Sequence, residues 1–299
     1  MQLRALRYFN EVAQCVSLRK AATRLFVTPS AVSRQIEQLE HFYGASLIER
    51  NPRGIRLTRE GEFLAQAINA TLRELDHVKE HIANSQGVVA GTIRMFVSEG
   101  LISGILAPAM AKFSQLYPKV QFQIETGSAP RIADAFRAGE ADIGLAFYMP
   151  PCAEIEVAHH CDLWHRVLVP KGHAFTERHS IRIQDLIGQP LAIPNSTFST
   201  RQIIEAAARK EGVQLNVAYT TSSVEVQKSL ARAGIALLVL PQAARQDRDL
   251  GDGLVAVPLL DPLIERVRVD LCLPRQRTSS IAIKTCQSML AQIMSDCSI

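Results

Sequence analysis

From Leu3 to Tyr43 the apolar residues recur every three or four positions, and capping residues mark the breaks between runs. Leu3, Leu6, Phe9, Val12, Ala13 and Val16 share one face of a first helix. Ser17 suits an N-cap, and a short second helix follows over Leu18–Phe26 with the small or apolar Ala21, Ala22 and Leu25 on its packing face. Thr28-Pro29 reads as an N-cap followed by proline at the first helical position, where a missing N–H costs nothing. A third helix is therefore predicted from there to about Tyr43, stopped by Gly44. Its inward stripe is Val32, Ile36, Leu39 and Tyr43, while Ser30, Ser33, Arg34 and Glu37 face the other way. Leu47–Arg50 and Ile55–Thr58 are short apolar-basic strands joined by the turn-forming Asn51-Pro52-Arg53-Gly54. Three helices and a hairpin make a winged helix-turn-helix over residues 1–58.

Between Arg59 and about Ser85 the pattern has no proline, and Leu64, Ile68, Leu72, Leu75, Val78 and Ile82 repeat at helical spacing. This predicts one long linker helix over 59–87. A helix of this length between domains suits pairing with a second copy, so Leu64, Ile68, Leu72, Leu75 and Ile82 are the candidate dimer contacts. The alternative is packing on its own domain. Beyond Gly91 strands and helices alternate: Ile93–Val97, a helix around Leu101–Leu116, Val120–Thr126, a helix around Ile132–Ala138, and Asp142–Phe147. A second set runs from Leu163–Val169 through Leu191–Ile193, Arg201–Lys210, Val217–Thr220 and Val224–Arg232 to Ile235–Leu240. The βαβαβ order implies parallel sheets and two α/β lobes. Arg266–Leu273 and a final helix Ile281–Ile293 return to the first lobe, as in chains that resemble periplasmic solute-binding proteins. The expected fold is thus an N-terminal all-α winged helix-turn-helix with a linker helix, then a C-terminal α/β two-lobed periplasmic-binding-protein-like domain over 91–299. Its lobe I takes 91–162 and 267–299, and its lobe II 163–266.

The net charge of +4 is unevenly spread. Residues 1–60 hold ten Arg or Lys against five Glu, whereas the other 239 residues hold 23 basic against 24 acidic. A polyanion is expected to dock on the first fifth of the chain, which argues against a plain solute binder with an N-terminus used only for assembly. A hydroxyl-and-arginine helix start suits a DNA major groove, and its first-turn N–H groups suit phosphate. The candidate DNA-contacting residues are Thr28, Pro29, Ser30, Ser33 and Arg34 on the third helix, with Arg50 and Arg53 on the wing. The longest apolar stretch, Gly234–Pro241, is far shorter than the roughly 20 residues of a membrane span, and the N-terminus shows no signal pattern, so a cytoplasmic protein without membrane association is expected. The six cysteines are scattered and suit a reducing compartment. No nucleophile elbow, Walker loop or dinucleotide fingerprint is present, so no enzyme, cofactor or metal is expected. Cys152, His159, His160, Cys161 and His165 are of metal-ligand type, but their spacing matches no common site.

Phe9-Asn10-Glu11-Val12-Ala13, Ser17 to Ala22 and Ser30 to Glu40, followed by Leu47 to Arg50 and Arg53 to Thr58, resemble the N-terminal domain of LysR-type transcriptional regulators. The Gln-Pro with which that family opens its recognition helix is Pro29-Ser30 here. The resemblance spans essentially the whole chain and implies a promoter-binding regulator, with double-stranded DNA and a small-molecule effector as partners. It also implies a linker-helix homodimer assembling into a tetramer, with RNA polymerase as a further candidate partner. In open α/β sheets ligands bind beyond the strand carboxyl ends, which nominates Ser98, Ser128 and Phe147 from one lobe and Thr197, Phe198 and Thr221 from the other. Hydroxyls at helix starts suit an anion. Each hydroxyl could equally be an N-cap, and matching family positions favour Ser98, Ser128, Thr197 and Phe198 as effector contacts.

Overall fold

A computed structural model of the chain describes residues 3–51, 54–84, 89–243, 248–264, 266–275 and 279–297, and for 76, 77 and 79–84 the backbone alone. Contacts divide it into two compact units, Met1–Gln86 with Arg137–Glu140 and the remainder.

The N-terminal unit holds α1 (Leu3–Cys15), α2 (Leu18–Arg24), α3 (Pro29–Tyr43), the hairpin β1 (Ile48–Asn51) and β2 (Gly54–Leu57), and α4 (Arg59–Asn84). The caps form where the residue types place them. Ser17 Oγ accepts from the Lys20 N–H, Thr28 Oγ1 accepts from the Ala31 N–H, and Gly44 ends α3 at φ 66°. Phe9, Val12, Val32, Ile36, Leu39 and Leu47 are buried in one core. Glu40 carries α3 into the hairpin by accepting from the backbone N–H groups of Leu47 and Ile48.

The second helix stops at Arg24, two residues before the expected end, because the chain turns at Phe26 with φ 54°. Phe26 is 95% exposed there. A left-handed conformation costs an L-residue about 1–2 kcal/mol, and asparagine tolerates it better. Phe26→Asn gives up no burial and is expected to stabilise this unit by about 0.5–1 kcal/mol, raising its melting temperature by roughly 2–8 °C. A fall on thermal denaturation would show that the Phe26 ring stabilises the turn.

The first half of α4 packs into this core, the alternative to pairing with a second copy. Ile68 is buried, and Leu64 and Leu72 pack against the same cluster. An amphipathic period fixes which side of a helix is apolar but not what covers it. Leu75 and Val78 are exposed, as is Phe63. The Ile82 side chain, like Pro52 and Arg53, lies outside the described residues.

The second unit has two lobes. In the first, the strand order is β4 (Val120–Thr126), β3 (Gly91–Val97), β5 (Ile143–Phe147), β11 (Val267–Pro274) and the first part of β6 (Ile155–Pro170). β3 is parallel to β4 and β5, whereas β11 is antiparallel to β5 and β6, so the expected parallel sheet is mixed. In the second lobe β9 (Leu238–Gln242) and β10 (Leu254–Pro258) flank the remainder of β6, both antiparallel. The parallel pair β7 (Pro190–Ile193) and β8 (Asn216–Thr220) joins through a Leu191–Leu237 bridge. β10 is a strand that the apolar pattern does not predict.

Helices cover both faces of each lobe. In the first, α5 (Ala107–Leu116) and α9 (Ile281–Cys297) pack on one face and α6 (Ala129–Arg137) on the other. The helix expected from Leu101 opens irregularly with a tight turn over Glu99–Leu101 and a wide one over Ile102–Leu106. Pro108 has no N–H for the carbonyl four residues back, which interrupts the regular ladder there. In the second lobe α7 (Ser199–Lys210) and α8 (Val224–Arg232) take opposite faces. The partner of β6 changes between Leu163, opposite Val267, and Trp164, opposite Gln242. No helix among the described residues is long and apolar enough to cross a membrane.

Candidate functional site

In the N-terminal unit the start of α3 presents Pro29, Ser30 and Arg34, all exposed. Arg34 forms no hydrogen bond or ion pair with a described residue, so its guanidinium is available. Thr28 is engaged in capping, and its hydroxyl also lies 3.0 Å from that of Ser30. Arg50, expected at the wing tip, instead reaches back from β1: its Nη2 donates to Ser33 Oγ at 2.8 Å, and Ser33 donates to Glu37 Oε1 at 3.0 Å. No local pattern marks this bridge, because it joins residues 17 apart on two elements. Ser33 and Arg50 therefore hold the wing to α3, and Glu37 3.8 Å from Arg50 offsets part of its charge.

In the second unit a cavity of about 200 Å³ lies between the lobes. Five of the six nominated residues line it: Ser98, Ser128 and Phe147 from the first lobe, Thr197 and Phe198 from the second. Ser98 follows β3, and Ser128 stands just before α6. Thr197 and Phe198 precede α7, whose first residue Ser199 also lines the cavity. Ser98 is buried, and its hydroxyl hydrogen-bonds no described residue, leaving a donor and acceptor for a ligand. Among the described residues no charged side chain lines this cavity. A ligand anion would instead be held by hydroxyls and by the N-terminal N–H groups of α6 and α7.

Thr221 is not in this wall. Its hydroxyl accepts from the Ser223 N–H, and its own N–H donates to the Ile193 carbonyl, so it shapes the turn into α8. An adjoining cavity of about 390 Å³ shares Phe198 and adds Glu99, Ser222 and Ser223. Glu99 was not nominated, although it directly follows a strand-end serine. Its Oε1 accepts from Ser223 Oγ and from the Glu225 N–H, both at 3.3 Å, linking the first lobe to the start of α8. Tyr148 was also missed. It lines the smaller cavity at φ 48°, its N–H donates to the Arg268 carbonyl at 3.0 Å, and its hydroxyl donates to that of Arg266 at 2.6 Å.

The Cys and His residues around β6 do not converge. Cys161 is buried in the first lobe's core, Cys152 donates to Glu154, and His159 reaches Ser295 on α9. Among the described residues no three His, Cys, Asp or Glu side chains come together to hold a metal ion. Burial pushes the Cys272 and Cys286 thiols up to about 12, so neither is a thiolate at neutral pH.

Comparison with known proteins places both units. Residues 3–62 match the bacterial regulatory helix-turn-helix family of lysR type, and residues 86–295 match the LysR substrate binding domain. The chain is 27% identical to the HTH-type transcriptional regulator SsuR of Burkholderia cenocepacia over 86% of its length and 84% of that protein. It is 26% identical to the transcriptional dual regulator GltC of Bacillus subtilis, over 93% of this chain and 92% of that one. Its fold matches full-length CbnR in complex with its target DNA, with a TM-score of 0.69 at 18% identity, covering 98% of this chain and 99% of the other. Full-length OxyR of Pseudomonas aeruginosa gives 0.70 at 20% identity, over 100% and 96% of the two chains. With both family domains in register along its length, the chain belongs to the LysR family of DNA-binding transcriptional regulators, which are not enzymes.

Proposed function

We propose that the exposed start of α3, Pro29, Ser30 and Arg34, enters the major groove of promoter DNA, with Arg53 meeting phosphate and Ser33 and Arg50 setting the wing. The regulator works in the cytoplasm as a homodimer through the exposed face of α4 around Leu75 and Val78. Dimers pair into tetramers, as the family resemblance implies, and RNA polymerase is a further partner at the promoter. A small anionic effector binds at Ser98, Ser128, Phe147, Thr197 and Phe198. Binding shifts the population between lobe arrangements and so changes how linked dimers engage DNA.

One observation carries the effector reading: a buried, unengaged Ser98 hydroxyl shares the wall of an interlobe cavity with Ala129 and Ser199, the first residues of α6 and α7. A thermal-shift screen of small carboxylates and phosphates on the full chain tests it, since a ligand of the native state raises the melting temperature. The best hit should bind Ser98→Ala about two- to twelve-fold more weakly, the worth of one neutral hydrogen bond of about 0.5–1.5 kcal/mol. An unchanged affinity would remove Ser98 from the site.

A further inference from the structure

The polypeptide passes between the lobes at two places: within β6 at Leu163–Trp164, and just before Val267, where β11 begins. A second cavity of about 300 Å³ lies against both passages, lined by Trp164 from the first and Arg266 from the second, with His165, Arg182, Leu259 and Asp261. It shares no lining residue with the effector cavity. The Arg266 guanidinium lies 4.6 Å from the Trp164 ring centroid, stacked over the indole. Arg182 is exposed at the start of a short helical turn over Ile183–Leu186. Among the described residues neither guanidinium has a carboxylate within ion-pair distance. Asp261 is the acid in the wall, but its two oxygens accept the backbone N–H groups of Ile183 and Leu263. The wall thus offers two forked cations, one carboxylate held by backbone, an indole and aliphatic side chains.

We propose that this cavity is a second ligand site, taking a small planar organic carboxylate whose apolar body packs on Trp164 and Leu259 and whose carboxylate meets Arg182 and Arg266. A guanidinium fork matches a carboxylate in two parallel hydrogen bonds, and an apolar wall with a few convergent polar groups is the usual build of a small-molecule site. The volume sits at the lower end of the range for such sites, which restricts the ligand to a few rings at most. Because the site touches both passages, an occupant favours whichever lobe arrangement brings Trp164, Arg182 and Arg266 together. The effector cavity reaches the second of these passages through the Tyr148 hydroxyl on the Arg266 carbonyl, so the two ligands read one hinge.

Trp164 is the only tryptophan in the chain, so indole fluorescence of the intact protein reports on this cavity directly. Nicotinate serves as probe, nicotinamide as its uncharged counterpart and inorganic phosphate as an anion without an apolar body. Saturable quenching by nicotinate is expected, with at least ten-fold weaker responses to the other two. Arg182→Gln should abolish the saturation while Ser98→Ala leaves it unchanged. Merely linear quenching by both pyridines, or unaltered saturation in Arg182→Gln, would overturn the proposal. Loss of the response in Ser98→Ala would also overturn it, by placing the probe in the effector cavity.

Discussion

Gly61→Ala is expected to cost the N-terminal unit about 2 kcal/mol and to weaken DNA binding by raising its unfolded fraction. Gly61 lies in the first turn of α4, where an added Cβ would stand 2.0 Å from the Leu47 carbonyl oxygen and 3.0 Å from its carbon. Both belong to backbone that cannot rotate away. The Leu47 oxygen already accepts from the Thr58 N–H at 3.1 Å, and Thr58 Oγ1 accepts from the Gly61 N–H at 3.0 Å while donating to the Ser46 carbonyl. Moving α4 outward to admit a methyl group breaks this set together and lifts Ile68 out of the core. Overpacking of this kind costs about 1–3 kcal/mol or more, and the gain in helix propensity from glycine to alanine returns about 1 kcal/mol at most. For a unit of this size the melting temperature should fall by roughly 8–16 °C. Calorimetry on the full chain separates the outcomes, because the second unit has its own cores and its transition should stay in place. A fall of only a few degrees would mean that the start of α4 shifts without cost.

Gly61 also illustrates what the sequence could and could not tell. A glycine in a helical pattern shows that something was tolerated there, not that a backbone oxygen sits above it. The N-terminal fold was legible because caps and periods are local: Ser17, Thr28-Pro29 and Gly44 each act within four residues of their partners. The lining of the interlobe cavity was legible for a related reason, since strand ends are read locally and the α/β order then places them on one rim. Thr221 satisfied the same rule, yet its hydroxyl accepts from the Ser223 N–H in the turn before α8, because a threonine in such a turn has backbone donors close by. Contacts distant in sequence had no local sign. Neither the Arg50–Ser33 bridge nor the Glu99 contact with the start of α8 could be derived from spacing. The α4 stripe was visible, but its division into a part buried by its own domain and an exposed part around Leu75 depends on where α1 and β2 lie.

Arg34→Ala is expected to weaken binding to a duplex selected from random sequence by roughly five- to 150-fold, corresponding to about 1–3 kcal/mol for a guanidinium that reads a base edge. Arg50 provides the contrast within the same surface. Its guanidinium is already shared with Ser33 and Glu37, so Arg50→Ala removes a wing tether along with a partly offset charge. It should weaken all duplexes by a similar, smaller factor. Two measurements distinguish the roles: affinity for the selected and a scrambled duplex, and the dependence of each on salt. If Arg34 reads sequence, its loss narrows the gap between the two duplexes. If it meets phosphate, both affinities fall together, and the slope of log affinity against log salt flattens by about 0.9, the counterion released by one phosphate contact. An Arg34→Ala protein that binds both duplexes as tightly as the native chain at every salt concentration would remove the start of α3 from the interface. The wing beyond Asn51 would then have to carry the excess positive charge of the first sixty residues to DNA.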